Sequence, residues 1–407
     1  MRKKEEKEIE QRKLQSNIKK FYLWVFVGSF FFINSIFLLY YRHFELSFSD
    51  IALIQIVVLI AVLLLEVPSG AFADLVGRKW SIVLGDCLML AGVLIFAVGS
   101  TLPVFLIAAV VYGSGGAFIS GSRQAIIYDT FKKLKRQKDF LKFRSREAAI
   151  FSGVGIFTSY FSPYLFSLNV RYPYYAGAIF MVFSILTGIS FFEPPFKRKK
   201  LSIMNHYIQM KESLISILRH SRLLWLLLFS IVSIFAIAVF HHLTYQPYIT
   251  NNLGFTVKQM GIILAIVAVV QLVSSLLAPK IEKILTEKWS LLTIILVQVA
   301  CFGLLGYFVQ KYIVFVFVLI FPIWIFQELI IENYMHWHIK SHQRATIFSI
   351  SSLFYSLILI ILLPIFGLVI DAKGIPYLYL LLAGLVLVTG LIMFFLRYNK
   401  RVWKSLD

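Results

Sequence analysis

Twelve apolar runs of roughly 20 residues each divide the chain. They fall near 21–41, 51–69, 80–99, 103–128, 145–167, 173–192, 222–243, 257–278, 289–307, 311–334, 345–370 and 375–397. A helix rises about 1.5 Å per residue, so each run matches a hydrocarbon layer of about 30 Å. Lipid offers the backbone no hydrogen-bond partner, and a helix satisfies its own N–H and C=O groups. The runs therefore restrict the chain to an all-α polytopic membrane protein with 12 transmembrane helices. Composition excludes the soluble alternative. Apolar residues make up 59% and charged residues 15% of the chain, whereas soluble domains carry about 25% charged residues.

Most gaps between runs are short. The exception opens with EPPFKRKK at Glu193 and continues to about His220. Pro194 and Pro195 are read as the stop of the sixth helix. Ile203 to Leu218 is basic and amphipathic, and reads as a connector lying on the membrane surface. The organisation expected is a tail over 1–20, a six-helix bundle over 21–192, a linker over 193–221, a second bundle over 222–397 and a tail over 398–407. The first tail is a charged run, expected as a solvated helix or a disordered segment, and no cleavable signal peptide is visible.

The net charge of +20 does not indicate nucleic acid. Lys and Arg cluster in the gaps, without the aromatic interleaving that stacks bases. Numbering the gaps alternately puts 34 of the 40 basic residues on one side. That side is expected to be cytoplasmic, with both termini inside the cell and the chain in the plasma membrane. Trp24, Trp80, Trp225, Trp289 and Trp337 fall near the same ends and are expected as interfacial anchors. Cys87 and Cys301 lie inside predicted helices and read as small apolar residues. His241 and His242 are expected near the outer end of the seventh helix.

The two halves read as a diverged repeat offset by about 200 residues. Ser69, Ala73 and Arg78 then meet Ser274, Ala278 and Lys283, and Ile150-Phe151-Ser152 meets Ile347-Phe348-Ser349. Charges within the spans cost about 2.5–3.5 kcal/mol each on insertion scales, so each needs a partner or a wet cavity. Glu66, Asp86, Arg123, Asp129, Glu328 and Glu332 are such charges, and a network centred on Arg123 is expected. Glu66, Asp86, Arg123 and Glu328 are the candidates for substrate or proton binding.

The gap between the second and third runs reads GAFADLVGRK, from Gly70 to Lys79. Gly70 and Gly77 are expected to allow a tight turn and close backbone approach. The pattern G-x-x-x-D-x-x-G-R-K resembles the loop signature of the major facilitator superfamily of secondary transporters. The resemblance covers about residues 20 to 398. It implies two six-helix bundles that rock about a central site. It also implies a gate formed by Gly70, Asp74, Gly77, Arg78 and Lys79, with Asp129 as the acid at the cytoplasmic end of helix four. Asp74 is expected to meet the N-terminus of helix eleven, which opens RATIFS at Arg344. In that fold helices four and ten line the cavity, so Arg123 and Glu328 are expected to face the substrate path.

LEVPSGAFADLVGRK resembles a bacterial drug- or metabolite-efflux subgroup. Two exporter signatures are not matched. LIAAVVYGSGG in helix four holds no Arg, and Pro163 in helix five follows Ser162 rather than Gly. The function implied is proton-coupled efflux of a hydrophobic or amphipathic small molecule by a monomer in the lipid bilayer. Uptake of an anionic nutrient, with Arg123 as its ligand, and a lipid translocase or membrane sensor remain alternatives. No phosphate-binding loop, H-E-x-x-H or paired-cysteine motif occurs, so a non-enzymatic protein without metal or cofactor, driven by a proton or ion gradient, is expected.

Overall fold

The computed structural model describes residues 2–194, 221–338 and 344–398. The connector expected at Ile203 to Leu218, Lys340 and the last nine residues lie outside the described residues, as do the side chains of Trp337 and Arg344. The described residues fold into α1 (Arg2–Gly28), α2 (Phe37–His43), α3 (Phe48–Leu75), α4 (Arg78–Val98), α5 (Leu102–Lys133), α6 (Asp139–Leu168) and α7 (Tyr172–Ile189). Then follow α8 (Ser221–Val239), α9 (Val257–Tyr307), α10 (Phe317–His338), α11 (Arg344–Lys373) and α12 (Ile375–Tyr398). Among the described residues eleven segments are long and apolar enough to cross a membrane, and a twelfth arises if the pair bent by 45° around Ile36 is one span.

Several ends differ from the sequence reading. The charged N-terminal run is helical from Arg2 onward and continues into the first span. The seventh span runs from Arg222 to Asn252, well past the expected end. Its C-terminal part winds as two π-helical stretches, Phe240–Thr244 and Tyr248–Asn252, on either side of Pro247. Proline has no N–H to donate, and a locally widened helix accommodates that loss. The sixth helix stops at Ile189, ahead of the prolines expected to end it. The chain beyond is held by Asn17, whose amide donates to the Phe192 carbonyl at 2.7 Å and accepts from its N–H at 2.9 Å.

The chain divides into two compact units. One comprises Met1–Leu46 with Leu53–Leu201, the other Ser47–Ala52 with Ser202–Asp407. In the first unit, α4 and α5 cross where only glycine fits. A Cβ on Gly85 would sit 2.8 Å from the Gly115 carbonyl, and one on Gly115 would sit 2.6 Å from the Gly85 carbonyl. Small residues let membrane helices approach this closely. Ser81 donates to the Phe118 carbonyl at 2.7 Å and Ser69 to the Ala117 carbonyl at 3.0 Å, which ties α4 and α3 to α5. Phe21, Trp24, Ile82, Phe131, Phe143 and Phe191 form a buried cluster beside this crossing.

In the second unit, α9 is interrupted at Thr286, whose φ of +58° and ψ of 168° break the helix. Two candidate spans lie along this helix, Val257–Ala278 and Lys280–Tyr307, and Thr286 falls within the second of them. Arg222 pairs with Glu287 beside the break at 2.6 Å. Trp225 Nε1 donates to the Met393 carbonyl at 2.8 Å, and Tyr379 donates to Thr244 at 3.0 Å. The segment Ser47–Ala52 is fixed by Asp371, which accepts from the Phe48 and Ser49 N–H groups at 2.8 and 2.9 Å.

Trp24 and Trp225 are not the interfacial anchors expected. Both are buried and their indole N–H groups are bonded within their units, whereas Trp80 and Trp289 are exposed. Cys301 is buried and Cys87 exposed. His241 and His242 lie within the first π stretch of the lengthened span.

Candidate functional site

The loop signature is shorter in space than in sequence. α3 continues to Leu75, so only Val76 and Gly77 separate it from α4. Gly70 and Asp74 are therefore helical. A Cβ on Gly70 would meet nothing within 4 Å, so that glycine serves neither a turn nor a close approach. Gly77 does make the turn, with φ of +126° and ψ of 150°, a conformation essentially confined to glycine. Arg78 follows and forms an ion pair with Asp129 of α5, with side chains 21% and 27% exposed. The Lys79 ammonium lies 5.0 Å over the Trp80 ring. Asp74 is half-buried on the last turn of α3.

A residue that the sequence reading passed over completes this turn. The Glu193 carboxylate accepts the N–H of Arg78 at 3.1 Å and that of Lys79 at 2.6 Å. Those groups open α4, where helical N–H groups have no partner of their own and the helix dipole favours an anion. Burial nevertheless pushes the Glu193 carboxyl above its ordinary value, and the two N–H bonds and the Arg78 and Lys79 charges only partly offset this. Gly77 lies against the same carboxylate, which a Cβ would meet at 3.3 Å.

Deeper in the first unit, Arg123 is the hub of a second network. It forms an ion pair with Glu147 of α6, which also binds Arg144. Glu147 is nearly fully buried, with 4% of its side chain exposed. The Arg123 guanidinium lies 5.5 Å over the Trp24 ring. The Trp24 indole donates to Asp86 Oδ2 at 2.9 Å, and Ser184 donates to the same oxygen at 2.9 Å. Arg123 and Asp86 are thus joined through an indole. Glu147 stands just inside the fifth apolar run, and carries the same signal as the other embedded acids. Glu66 is exposed on α3, and its backbone carbonyl accepts from the Ser69 hydroxyl at 3.0 Å.

The second unit holds a cavity of about 460 Å³ between α8, α10 and α11. Glu328 and Glu332 lie on its wall, with Trp324 and Gln327 on the same helix, Tyr355 on α11 and Leu227 on α8. Such a volume falls in the range of small-molecule sites, about 300–1,000 Å³. His241 adjoins this wall, its ring 5.2 Å from that of Trp324 and stacked on Tyr245 at 5.5 Å. Glu328 and Arg123 belong to different units. Among the described residues no group of acids, histidines and cysteines is arranged to hold a metal ion.

Paired bundles of membrane-length helices, with charges buried inside them, define a multi-pass α-helical membrane protein. Residues 21–329 match the sequence family described as the Major Facilitator Superfamily, and the chain belongs to it. The chain is 26% identical over 258 residues to the "Uncharacterized MFS-type transporter YxaM" of Bacillus subtilis (strain 168). That match takes in 61% of this chain and 62% of the relative's length. Among solved structures, the nucleoside transporter NupG is similar with a TM-score of 0.75 at 13% identity, over 94% of this chain and 99% of that one. A bacterial homolog of the human lysosomal transporter Spinster, inward-facing and unoccupied, is similar with a TM-score of 0.76 at 14% identity, over 97% and 98%. A D-xylose-proton symporter is similar with a TM-score of 0.68 at 14% identity, over 93% and 96%. At such identities the likeness shows the fold alone, and the named cargoes differ from one another.

Proposed function

We propose that the protein is a secondary active transporter. In this reading it moves a small hydrophobic or amphipathic compound outward across the plasma membrane by alternating access, coupled to inward proton flow. The observation that carries the reading is Glu328 on the wall of the second unit's cavity. A carboxylate within an otherwise apolar span is costly and characteristically marks an ion or substrate path. Leu227, Ile231, Ile234 and Trp324 give much of the remaining wall an apolar or aromatic surface.

Arg78, Asp129 and Glu193 support the same reading as parts of an inner gate, because they pin the turn between α3 and α4. The alternation of basic residues supports cytoplasmic termini, and a monomer suffices for the mechanism. A gradient is the energy source in this reading. Uptake of an anion through Arg123 has less support, because Glu147 already engages that guanidinium.

The test is dye flux in proteoliposomes under an imposed pH gradient. The expected result is gradient-dependent flux that Glu328→Gln uncouples from the gradient. Flux indifferent to the gradient, with the Glu328→Gln protein fully active, removes the reading.

A further inference from the structure

We propose that the turn between α5 and α6 is a docking surface for anionic phospholipid headgroups. The proposal goes beyond the transport reading and does not depend on it.

The stretch from Lys132 to Arg146 holds eight basic residues and one acid, Asp139. Lys132, Lys133, Lys135, Lys138 and Lys142 are all exposed, as is Arg146. The acids nearest in sequence are already engaged by arginines. Asp129 pairs with Arg78, Asp139 with Arg136, and Glu147 with both Arg123 and Arg144. Among the described residues none of the five lysines makes an ion pair. The surface therefore presents ammonium groups whose neighbouring carboxylates are occupied. Such groups act as point-charge partners for phosphate.

Their depth points to lipid. The apolar run of α5 ends near Tyr128, and Lys132 follows four residues later, about 6 Å along a helix. The headgroup layer beside the hydrocarbon is about 5–8 Å deep on each side. On the return, Lys142 stands just ahead of the apolar run that begins near residue 145. Both groups of charge thus fall at headgroup level. Tyr128 is 44% exposed, and its ring meets that of Phe140 edge-on at 5.6 Å. Aromatic surface of this kind belongs at the membrane–water boundary. Tyr128 and Lys132 share a face of α5, and Lys142 and Arg146 share a face of α6.

Membrane orientation does not require this density of charge. At the repeat offset of about 200 residues the corresponding stretch, 332–346, holds two basic residues, Lys340 and Arg344, and one acid, Glu332. The second copy enters and leaves the membrane with far less. The first carries an excess that its own acids do not offset. Clusters of about four to eight Lys and Arg beside a membrane helix attract anionic lipid through the negative potential of the leaflet.

The test offers the full-length protein in detergent equal amounts of phosphatidylglycerol and phosphatidylcholine and counts retained lipids by native mass spectrometry. Phosphatidylglycerol is expected to be retained about tenfold over phosphatidylcholine or better. The triple variant Lys132→Gln, Lys133→Gln, Lys138→Gln should lose most of that preference. A control that removes the same charge elsewhere, Lys280→Gln, Lys283→Gln, Lys288→Gln, should keep it. Melting temperatures establish that both variants are folded. Raising the salt to about 1 M, where the Debye length falls to about 3 Å, should erode the preference in the parent.

Equal retention of the two lipids by the parent overturns the proposal. So does an equal loss in the two triple variants, which would reduce the effect to overall charge. Displacement of phosphatidylglycerol by inorganic phosphate at millimolar concentration also overturns it, since the surface would then be a site for a small soluble anion. Gradient-driven flux is measured separately, and its absence leaves the lipid surface standing.

Discussion

The Glu193 carboxylate sits on the first turn of α4, where its Oε2 takes the Lys79 N–H at 2.6 Å, across 114 residues of sequence. Removing an N-terminal helix cap costs about 0.5–2 kcal/mol, and Glu193→Ala is expected to fall within that range near pH 4. Burial raises the folded carboxyl above its ordinary value. The folded protein therefore holds the proton more tightly than the unfolded chain does. The contribution of Glu193 is full below the unfolded value and declines as pH rises through the folded one. The gap between parent and Glu193→Ala should narrow from pH 4 toward pH 7 in thermal unfolding. A gap that widens with pH would show that the two N–H bonds outweigh burial.

Two turns of the same kind are made by different residues. In the first unit Gly77 takes φ of +126°, and in the second Thr286 takes φ of +58° with ψ of 168°. A side chain in this region costs of order 1–3 kcal/mol. Gly77→Ala is expected to destabilise by about that amount, with the added contact to Glu193. Thr286→Gly is expected to stabilise by about 1 kcal/mol, part of the relief being offset by the greater freedom of glycine in the unfolded chain. Melting temperatures of both variants check the pair, and a destabilised Thr286→Gly protein would mean that the threonine side chain contributes more than its backbone costs.

Much of this architecture was legible because lipid leaves a chain few options. Apolar runs of membrane length announced the spans, and the repeat offset set Ala73 against Ala278, both of them buried. What could not be read depends on contacts between distant residues. The end of the sixth helix is set with the help of Asn17, 175 residues away. Gly70 looked like part of a turn because the loop is polar there, yet α3 runs straight through it. Trp24 stood where interfacial tryptophans stand, but the rotation of α1 turns its indole inward to Asp86. A network centred on Arg123 was legible as charge, while its partner Glu147 depended on how α5 and α6 face each other.

Arg78 and Asp129 are each about a quarter exposed, so solvent screens their attraction. Such pairs typically contribute about 0–1 kcal/mol. Arg78→Ala and Asp129→Ala are therefore expected to change unfolding stability little. If the pair acts as a gate, each single variant should alter the rate of flux much more than it alters stability. The exchanged pair, Arg78→Asp with Asp129→Arg, should recover part of that rate. A double-mutant cycle on flux and melting together checks this. A coupling visible in melting but absent from flux would make the pair a static anchor.

Glu147 bridges two arginines and is almost fully buried, while 35% and 41% of the Arg123 and Arg144 side chains are exposed. Removing the acid leaves two partly exposed cations. Removing Arg123 leaves the acid still held by Arg144. Charged hydrogen bonds contribute about 1.5–3 kcal/mol each, so Glu147→Ala is expected to cost about 2–4 kcal/mol and Arg123→Met about half as much. Urea or thermal unfolding in detergent orders the two, and a larger loss for Arg123→Met would mean that its contact with Trp24 outweighs its pairing with Glu147.

Asp86 offers a sharper contrast, because Trp24 and Ser184 both donate to the same oxygen, each at 2.9 Å. An amide oxygen placed there can accept both bonds, so the contacts seen require an acceptor and not a charge. Asp86→Asn is expected to keep stability within about 0.5 kcal/mol of the parent, since it replaces no bond and removes a buried carboxylate. Asp86→Leu leaves the indole N–H and the serine hydroxyl without a partner, and each stranded polar group costs about 1–3 kcal/mol. The two variants match the parent side chain in size well enough that packing alone should not separate them widely. If Asn destabilises as much as Leu does, the carboxylate charge itself holds α1, α4 and α7 together, through the Arg123 guanidinium on the far side of the Trp24 ring.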